Sequence, residues 1–148
     1  MQNRHETDPI ITRVAQAGDV AAMLACDAYA QAHASRGDAV RAAVCQGHCL
    51  VAIRAGQVAG YALLHGDFFG YGFVSLVVVA PGQQRRGVGL RLLAAAEAAC
   101  QTAKLFTSTN ESNLAAQRLF ASAGFVRSGQ IEHLDENDPE LVFVKFLR

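Results

Sequence analysis

The residues with the clearest chemical meaning stand between an apolar run and the start of a helical pattern. Residues 73–80 are apolar except for one serine, and Arg85, Arg86, Gly87 and Gly89 follow shortly afterwards. The first amides of a helix have no acceptor inside the helix and carry partial positive charge. Two neighbouring arginines add full charges, and glycines let a ligand oxygen approach the main chain without meeting a Cβ atom. The spacing therefore predicts a site for an anion such as a pyrophosphate.

Two common nucleotide-binding motifs fit this segment less well. A P-loop continues its spacer with Gly-Lys-Ser/Thr, whereas Gly82 is followed after four residues by Gly87-Val88-Gly89, without a lysine or a hydroxyl side chain. A dinucleotide fingerprint needs a third glycine where Leu92 stands, and a tighter turn from strand to helix. The segment therefore favours neither motif.

Apolar periodicity predicts the elements that hold this segment in place. Strands are predicted at residues 10–14, 50–54, 58–64, 73–80, 105–109, 125–131 and 141–147. Helices are predicted at residues 18–34, 39–46, 87–102 and between Asn113 and Gly124, with a break at residues 35–38. The order predicts an α/β (α+β) fold, one domain over residues 1–148, in which about four helices flank a mixed, mostly antiparallel sheet of about seven strands.

Composition limits the classes of function. The chain has 148 residues, 51% of them apolar and 18% charged, and its 13 Lys and Arg balance 13 Asp and Glu. A nucleic-acid-binding arm is not expected without a basic field, and the apolar content excludes a disordered chain. No apolar run reaches the roughly 18 residues that span a bilayer, and residues 1–6 are polar and lack a signal core. We therefore expect a cytoplasmic protein that binds neither nucleic acid nor membrane.

The cysteines follow no recognisable metal-binding spacing. Cys26, Cys45, Cys49 and Cys100 include no CxxC pair. Free thiols are the favoured interpretation, and a zinc site built from His48 and Cys49 is the alternative. No metal is expected.

Two motifs carry a resemblance to a known family. The segment Gln84-Arg85-Arg86-Gly87-Val88-Gly89 fits a Gln/Arg-x-x-Gly-x-Gly/Ala loop, and Val79-Ala80-Pro81 precedes it at the expected distance. The pattern Asn113-x-x-Ala116-x-x-Leu119-Phe120-x-x-x-Gly124-Phe125 follows in the expected order. On these motifs, residues 50–130 resemble the GNAT superfamily of acetyl-CoA-dependent N-acyltransferases.

The resemblance implies that acetyl-CoA, as co-substrate, lies in a V between the strands at residues 74–79 and 105–109. Pantetheine would bond like an extra strand to main chain near Val77 and Val79, and an amide near Val77 would polarise the thioester carbonyl. Asn113 would contact the cofactor arm or only cap its helix. The implied cofactor-binding residues are Val77, Val78, Val79, Gln84, Arg85, Arg86, Gly87, Val88, Gly89, Asn113 and Phe120.

The sequence departs from the family pattern at both proton-transfer positions. Phe120 stands where many members have a tyrosine that protonates the departing thiolate, and residues 73–75 lack the glutamate base of some relatives. The base candidates are His65, Asp67 and Glu111, with water as the alternative. The favoured interpretation of His65 is nevertheless an ordinary strand-end histidine, and that of Glu111 is a residue that flanks the Asn113 cap.

Two further segments leave their roles open. The loop at residues 132–140 holds five acids, which either attract a cationic acceptor or make a solvated turn. Phe68, Phe69 and Tyr71 form a cluster that either shapes an acceptor pocket, makes a dimer contact or closes the edge of the core.

The resemblance as a whole implies an N-acetyltransferase that moves an acetyl group from acetyl-CoA to a primary amine by direct attack in a ternary complex. No covalent intermediate on a cysteine is expected. The alternative is a non-catalytic acyl-CoA-binding sensor or interaction module, and a longer acyl group is a further alternative. The implied acceptor is a small molecule or a peptide. The resemblance to the family also favours a homodimer.

Overall fold

The computed structural model describes residues 8–148, so the polar segment at residues 1–6 lies outside the described part of the chain. The strands are β1 (Ile10–Val14), β2 (Cys49–Arg54), β3 (Gln57–Phe68), β4 (Tyr71–Val79), β5 (Lys104–Asn110), β6 (Val126–Ile131) and β7 (Glu140–Phe146). The helices are α1 (Val20–Ala25), α2 (Ala28–Ala32), α3 (Ala34–Cys45), α4 (Val88–Ala99) and α5 (Leu114–Ser122).

All seven strands join one mixed sheet in the order β1-β2-β3-β4-β5-β7-β6. The β4–β5 pair is parallel and is connected through α4, while the other neighbours are antiparallel. The predicted α/β fold with a mixed, mostly antiparallel sheet is therefore confirmed. Between residues 8 and 148 the structure has five helices rather than about four, because the first predicted helix is divided.

The prediction for the N-terminal helices was wrong in two respects. The helix predicted at residues 18–34 is interrupted at Asp27, and the predicted break at residues 35–38 lies inside α3. Asp27 is buried and caps α2 by accepting from the amides of Tyr29 and Ala30. Its carboxylate also accepts from the Tyr61 hydroxyl and from Arg36 Nη1, the latter at 2.8 Å. These long-range bonds fix where the chain turns, and local propensity does not encode them.

The sheet separates two apolar clusters. Leu92, Leu93 and Phe120 belong to the cluster on the α4–α5 face, together with Val77 and Val79 of β4 at its edge. The other face packs against α1 and α3 through a second cluster. Its members include Met23, Val40, Tyr61, Leu63, Leu76 and Val78. Successive side chains of β4 thus point to opposite faces of the sheet, as the two-residue repeat of a strand requires.

The β3–β4 hairpin is longer than the predicted strands. Its register continues to the pair Phe68 and Tyr71, so a two-residue turn of Phe69 and Gly70 joins the strands. Both turn residues have positive φ, 51° for Phe69 and 82° for Gly70, which matches the twist that tight hairpins need. The tip of the hairpin therefore lies at the end of the sheet where β4 begins.

An ion pair beside β1 should make stability depend on acid pH. Arg13 Nη1 and Nη2 donate to the two carboxylate oxygens of Asp19 at 2.7 and 2.9 Å. The hydrogen bonds from Arg13 are the main reason why the pKa of Asp19 is lowered from 3.8 to about 2. Because the carboxyl pKa is lower in the folded state, its contribution is full above pH 3.8 and is lost as pH falls towards 2.

We expect Asp19→Asn to lower stability at neutral pH and to flatten this acid dependence, measured as the urea midpoint from pH 5 downwards. Asp38→Asn is the matched control, because the Asp38 side chain is 83% exposed and lies 3.6 Å from Arg41. An Asp19→Asn protein with the same acid dependence as wild type would contradict the assignment.

Candidate functional site

The sheet opens into a V between β4 and β5. Their ladder has three pairs, Gly72 with Leu105, Phe73 with Phe106 and Val74 with Thr107. At its end Thr107 Oγ1 donates to the Val74 carbonyl at 2.9 Å. The β3–β4 register then skips one residue between Val74 and Leu76, which makes Ser75 a β-bulge that bends β4 away. The V expected from the sequence is therefore present, with its apex at Val74.

One edge of β4 is unpaired along the V. The Ala80 amide donates to the carbonyl of Ala59. Main-chain groups alternate along a strand, so those of Val77 and Val79 point away from β3 and into the V. Val78 differs, because its main-chain groups point towards β3 and its side chain packs on the α1–α3 face. Two of the three predicted valines thus present hydrogen-bonding groups to the opening.

A cleft of about 600 Å³ continues from the V between α4 and α5. Eight of the predicted cofactor-binding residues line it: Val77, Val79, Gln84, Arg85, Gly87, Val88, Gly89 and Asn113. Further lining residues were not predicted: Gln83, Leu90, Ala115, Ala116 and Leu119. The α5 residues could have been found from the sequence, because Ala115 and Ala116 follow the Asn113 cap directly.

The α4 end of the cleft is built to receive an anion. Gly87 has φ +82° and immediately precedes α4, and the first helical bond runs from the Arg91 amide to the Gly87 carbonyl. The amides of Val88, Gly89 and Leu90 are therefore left without an intrahelical acceptor. A Cβ at Gly89 would lie 2.9 Å from Leu119 Cδ2, so any larger residue there would displace the Leu119 side chain of α5. The exposed side chains of Arg85 and Arg86 add positive charge.

Phe120 lies beneath the cleft rather than in its wall. Its side chain is 4% exposed and packs against Phe125 and Phe143, with ring centroids 6.1 and 5.5 Å away. Leu119 is the residue of this turn that lines the cleft. Contact between Phe120 and a cofactor remains a prediction.

The three base candidates do not form one cluster. His65 and Asp67 lie near the end of β3, beside the start of β4. Glu111 follows the carboxyl end of β5. Because β4 and β5 run parallel, Glu111 lies at the opposite end of these strands from His65 and Asp67. His65 Nε2 lies 2.7 Å from Ser75 Oγ, which brings this candidate to the apex of the V. Asp67 and Glu111 are exposed.

The acidic loop at residues 132–140 is hydrogen-bonded to the end of β5 and to the residues that follow it. Asp135 Oδ2 accepts from Asn110 Nδ2 at 2.7 Å. Asp138 accepts from the amide and the hydroxyl of Ser112 at 3.0 and 2.6 Å. Two of the five acids thus hold the loop in place, which supports the turn interpretation for them. Neutralising either one would alter the loop as well as its charge.

The aromatic residues make a platform on the α1–α3 face of the sheet. Phe68 stacks on Phe73 with ring centroids 4.6 Å apart, and Phe106 approaches Phe68 at 5.1 Å and Tyr71 at 5.8 Å. Phe69, at the hairpin turn, packs edge-on against Phe68 with ring centroids 5.1 Å apart, and its side chain is 88% exposed. The platform lies next to the apex of the V, since Phe73 is the register partner of His65.

All four cysteines are free thiols, and burial raises the pKa of Cys49 to about 12, so it is a poor nucleophile. Among residues 8–148, no group of three or more His, Cys, Asp or Glu side chains is arranged to hold a metal ion. In the same residues no helix is long and apolar enough to cross a membrane.

Comparisons with known proteins agree with this geometry. The model of the acetyltransferase (GNAT) family matches residues 17–125. A GNAT-family acetyltransferase of Bacillus cereus is 32% identical over 93% of this chain and 97% of its own, with a TM-score of 0.88. The chain therefore belongs to the GNAT family of acetyltransferases. No curated protein sequence matches it.

More distant structures share the fold. The yncA protein of Salmonella typhimurium, solved with its cofactor acetyl-CoA, is 24% identical over 94% of each chain, with a TM-score of 0.73. A ribosomal-protein-alanine N-acetyltransferase of Brucella melitensis is 24% identical, covers 93% of this chain and 99% of its own, and has a TM-score of 0.72. At this identity the likeness concerns the architecture alone.

Proposed function

We propose that this protein transfers an acetyl group from acetyl-CoA to a primary amine by direct attack in a ternary complex. The observation that carries the proposal is the V in the sheet, with an unpaired β4 edge that leads to an anion-binding helix start. A fold neighbour solved with acetyl-CoA supports the choice of co-substrate.

In this proposal, pantetheine bonds to the main chain of Val77 and Val79 in the place of an additional strand. The pyrophosphate meets the amides of residues 85–89 and the two arginines, and Asn113 contacts the cofactor arm. Asn113 Oδ1 also accepts from the Ala116 amide at 3.1 Å. The side chain can therefore cap α5 and contact the cofactor arm at the same time. Because the pyrophosphate lies beyond Val79, the thioester points back towards the apex of the V.

The chemistry needs a neutral amine and a carbonyl polarised towards attack. An amide near Val77 stabilises the charge that develops on the thioester oxygen. The C–N bond forms, the C–S bond breaks, and CoA leaves as a thiolate. A thiol with a pKa near 8.5 is an acceptable leaving group at neutral pH, so the phenyl ring of Phe120 does not prevent turnover.

The test is an acceptor screen with purified protein and acetyl-CoA. We expect release of the CoA thiol and an acetylated product with at least one of tyramine, spermidine and a peptide with a free N-terminal alanine. Mass spectrometry of the product separates transfer from hydrolysis of the thioester. Binding of acetyl-CoA without product from any amine would favour the sensor alternative instead.

We further propose that the enzyme acts in the cytoplasm as a homodimer. Strand β6 lies at the edge of the sheet, and Val126 and Ile131 on it are 55% and 41% exposed. A second copy would cover these apolar side chains. Sedimentation of the purified protein measures the state of assembly.

A further inference from the structure

The apex of the V carries a polar pair that faces away from the cofactor cleft. Residues paired in register lie on one face of a sheet. His65 pairs with Phe73, and the adjacent pair Leu64 and Val74 packs in the cluster on the α4–α5 face. The pair after that, Leu63 and Leu76, packs in the cluster under α1–α3, so alternation places His65 on this second face. Ser75 is the bulged residue between Val74 and Leu76, and its hydroxyl reaches the His65 ring on that face. The pair therefore stands where the thioester end of the V opens to the other side of the sheet.

The geometry of the pair suits proton removal. His65 Nε2 and Ser75 Oγ are 2.7 Å apart, and Ser75 is exposed while His65 is half-buried. When the ring carries its proton on Nδ1, Nε2 accepts from the serine hydroxyl. The lone pairs of Oγ are then free to accept an N–H bond from an incoming amine. A serine so held is both reachable from outside and connected to a base.

The charged surroundings of the imidazole are sparse. The His48 ring lies 5.8 Å away between centroids, in a perpendicular arrangement, and Asp67 follows on the same strand. Within the described part of the chain, no carboxylate lies within ion-pair distance of His65. The hydroxyl of Ser75 is thus the contact that orients the ring from β4.

We propose that His65, acting through Ser75, removes the proton that the acceptor ammonium must lose before it attacks acetyl-CoA. The inference rests on the proposed acetyl transfer and assigns its base. The inference selects His65 from the three candidates that the sequence offered. Asp67 lies further along β3 towards the hairpin turn, and Glu111 lies at the opposite end of the β4 and β5 strands. Ser75 was not among those candidates.

The proton balance is complete without a further reactant. A proton passes from R–NH₃⁺ to Ser75 Oγ as the hydroxyl proton passes to His65 Nε2, which leaves R–NH₂ and an imidazolium. The amine nitrogen forms the C–N bond, and the C–S electron pair leaves with the CoA sulfur. The second nitrogen proton moves to the thiolate through water, and the imidazolium returns its proton to solvent.

The experiment compares His65→Gln, Ser75→Ala, the double variant and Ser75→Thr with wild type, using the amine that reacts in the acceptor screen. We expect His65→Gln to lower kcat by about 10²- to 10⁴-fold while the affinity for acetyl-CoA, measured by calorimetry, changes little. The loss should shrink as pH rises towards the pKa of the amine itself, about 10 for an alkyl amine and about 8 for a peptide N-terminus, because the amine then deprotonates unaided. Ser75→Thr keeps the hydroxyl and should retain most activity.

Coupling between the two residues separates a relay from a packing effect. We expect Ser75→Ala to cost less than His65→Gln, because water can replace the hydroxyl, and the double variant to be no slower than His65→Gln. His33→Gln is the matched control, since His33 stacks on Tyr29 between α2 and α3 and is not among the residues that line the cleft. It should leave kcat unchanged.

Each remaining outcome rejects a defined part of the argument. If His65→Gln keeps the wild-type kcat and pH profile, the base assignment fails while acetyl transfer stands. If the losses from the two single variants simply add, Ser75 does not act through His65 and the relay is rejected. If wild type acetylates none of the amines, the proposed function and the base assignment fail together.

Discussion

Gly87→Glu should weaken acetyl-CoA binding by about two orders of magnitude while the protein stays folded. No atom lies within 4 Å of the position a Cβ would take at Gly87, so the new side chain extends into the open cleft. Its carboxylate would repel the pyrophosphate and compete for the free amides at the start of α4. Loss of two charge-assisted hydrogen bonds, at about 1.5 kcal/mol each, would weaken binding by about 100-fold. Isothermal titration with acetyl-CoA measures the effect.

Two matched variants separate blockage from backbone strain. Gly56 has φ +74° and is equally open, but it lies in the β2–β3 turn, so Gly56→Glu carries the same strain and charge away from the cleft. Gly87→Ala carries the strain at φ +82° without the charge. Both should bind acetyl-CoA almost as wild type does. Normal binding by Gly87→Glu would place the anion elsewhere.

Asp27→Ala should cause the largest loss of stability of any single change considered. The carboxylate receives hydrogen bonds from Arg36, Tyr61 and the start of α2. Its side chain is 5% exposed, and that of Arg36 is 20% exposed. Removal leaves a guanidinium and a hydroxyl without their acceptor, which costs about 3–5 kcal/mol. Urea unfolding at neutral pH measures this loss.

Asp38→Ala provides the reference for this stability change. Its carboxylate belongs to an exposed pair on α3, so its removal should cost less than about 1 kcal/mol. Tyr61→Phe removes one of the donors to Asp27 and should fall between the two. If Asp27→Ala lost no more than Asp38→Ala, the buried network would not be what holds the N-terminal helices.

The elements that the sequence predicted well are those with local signals. Asn113 caps α5 and Gly124 has φ +90° after it, which is the pattern used to place that helix. The β4–α4–β5 crossover followed from one apolar run, one loop and one amphipathic helix. Each of these features depends on residues close together in the chain, so a single sequence contains them.

The elements that escaped prediction depend on distant partners. The division of α1 from α2 follows from the bonds between Asp27 and Tyr61, residues far apart in the sequence. Gly37 was interpreted as part of a break, yet it is buried in α3 beside Leu24. Ser75 carries no local signal of its role, because a bulge is a property of the pairing between two strands. The apolar segment that contains it resembles an ordinary buried strand.

The short parallel ladder has a consequence for the folding of the molecule. Three residue pairs connect β1–β4 to the remaining strands, so the sheet is weakest at its centre. In the proposed complex, the co-substrate supplies the cross-strand bonds that the chain omits. A ligand that binds the folded state adds to the free energy of unfolding in proportion to the logarithm of its concentration. The free energy of unfolding of the enzyme would then rise and fall with the supply of the acetyl donor it consumes.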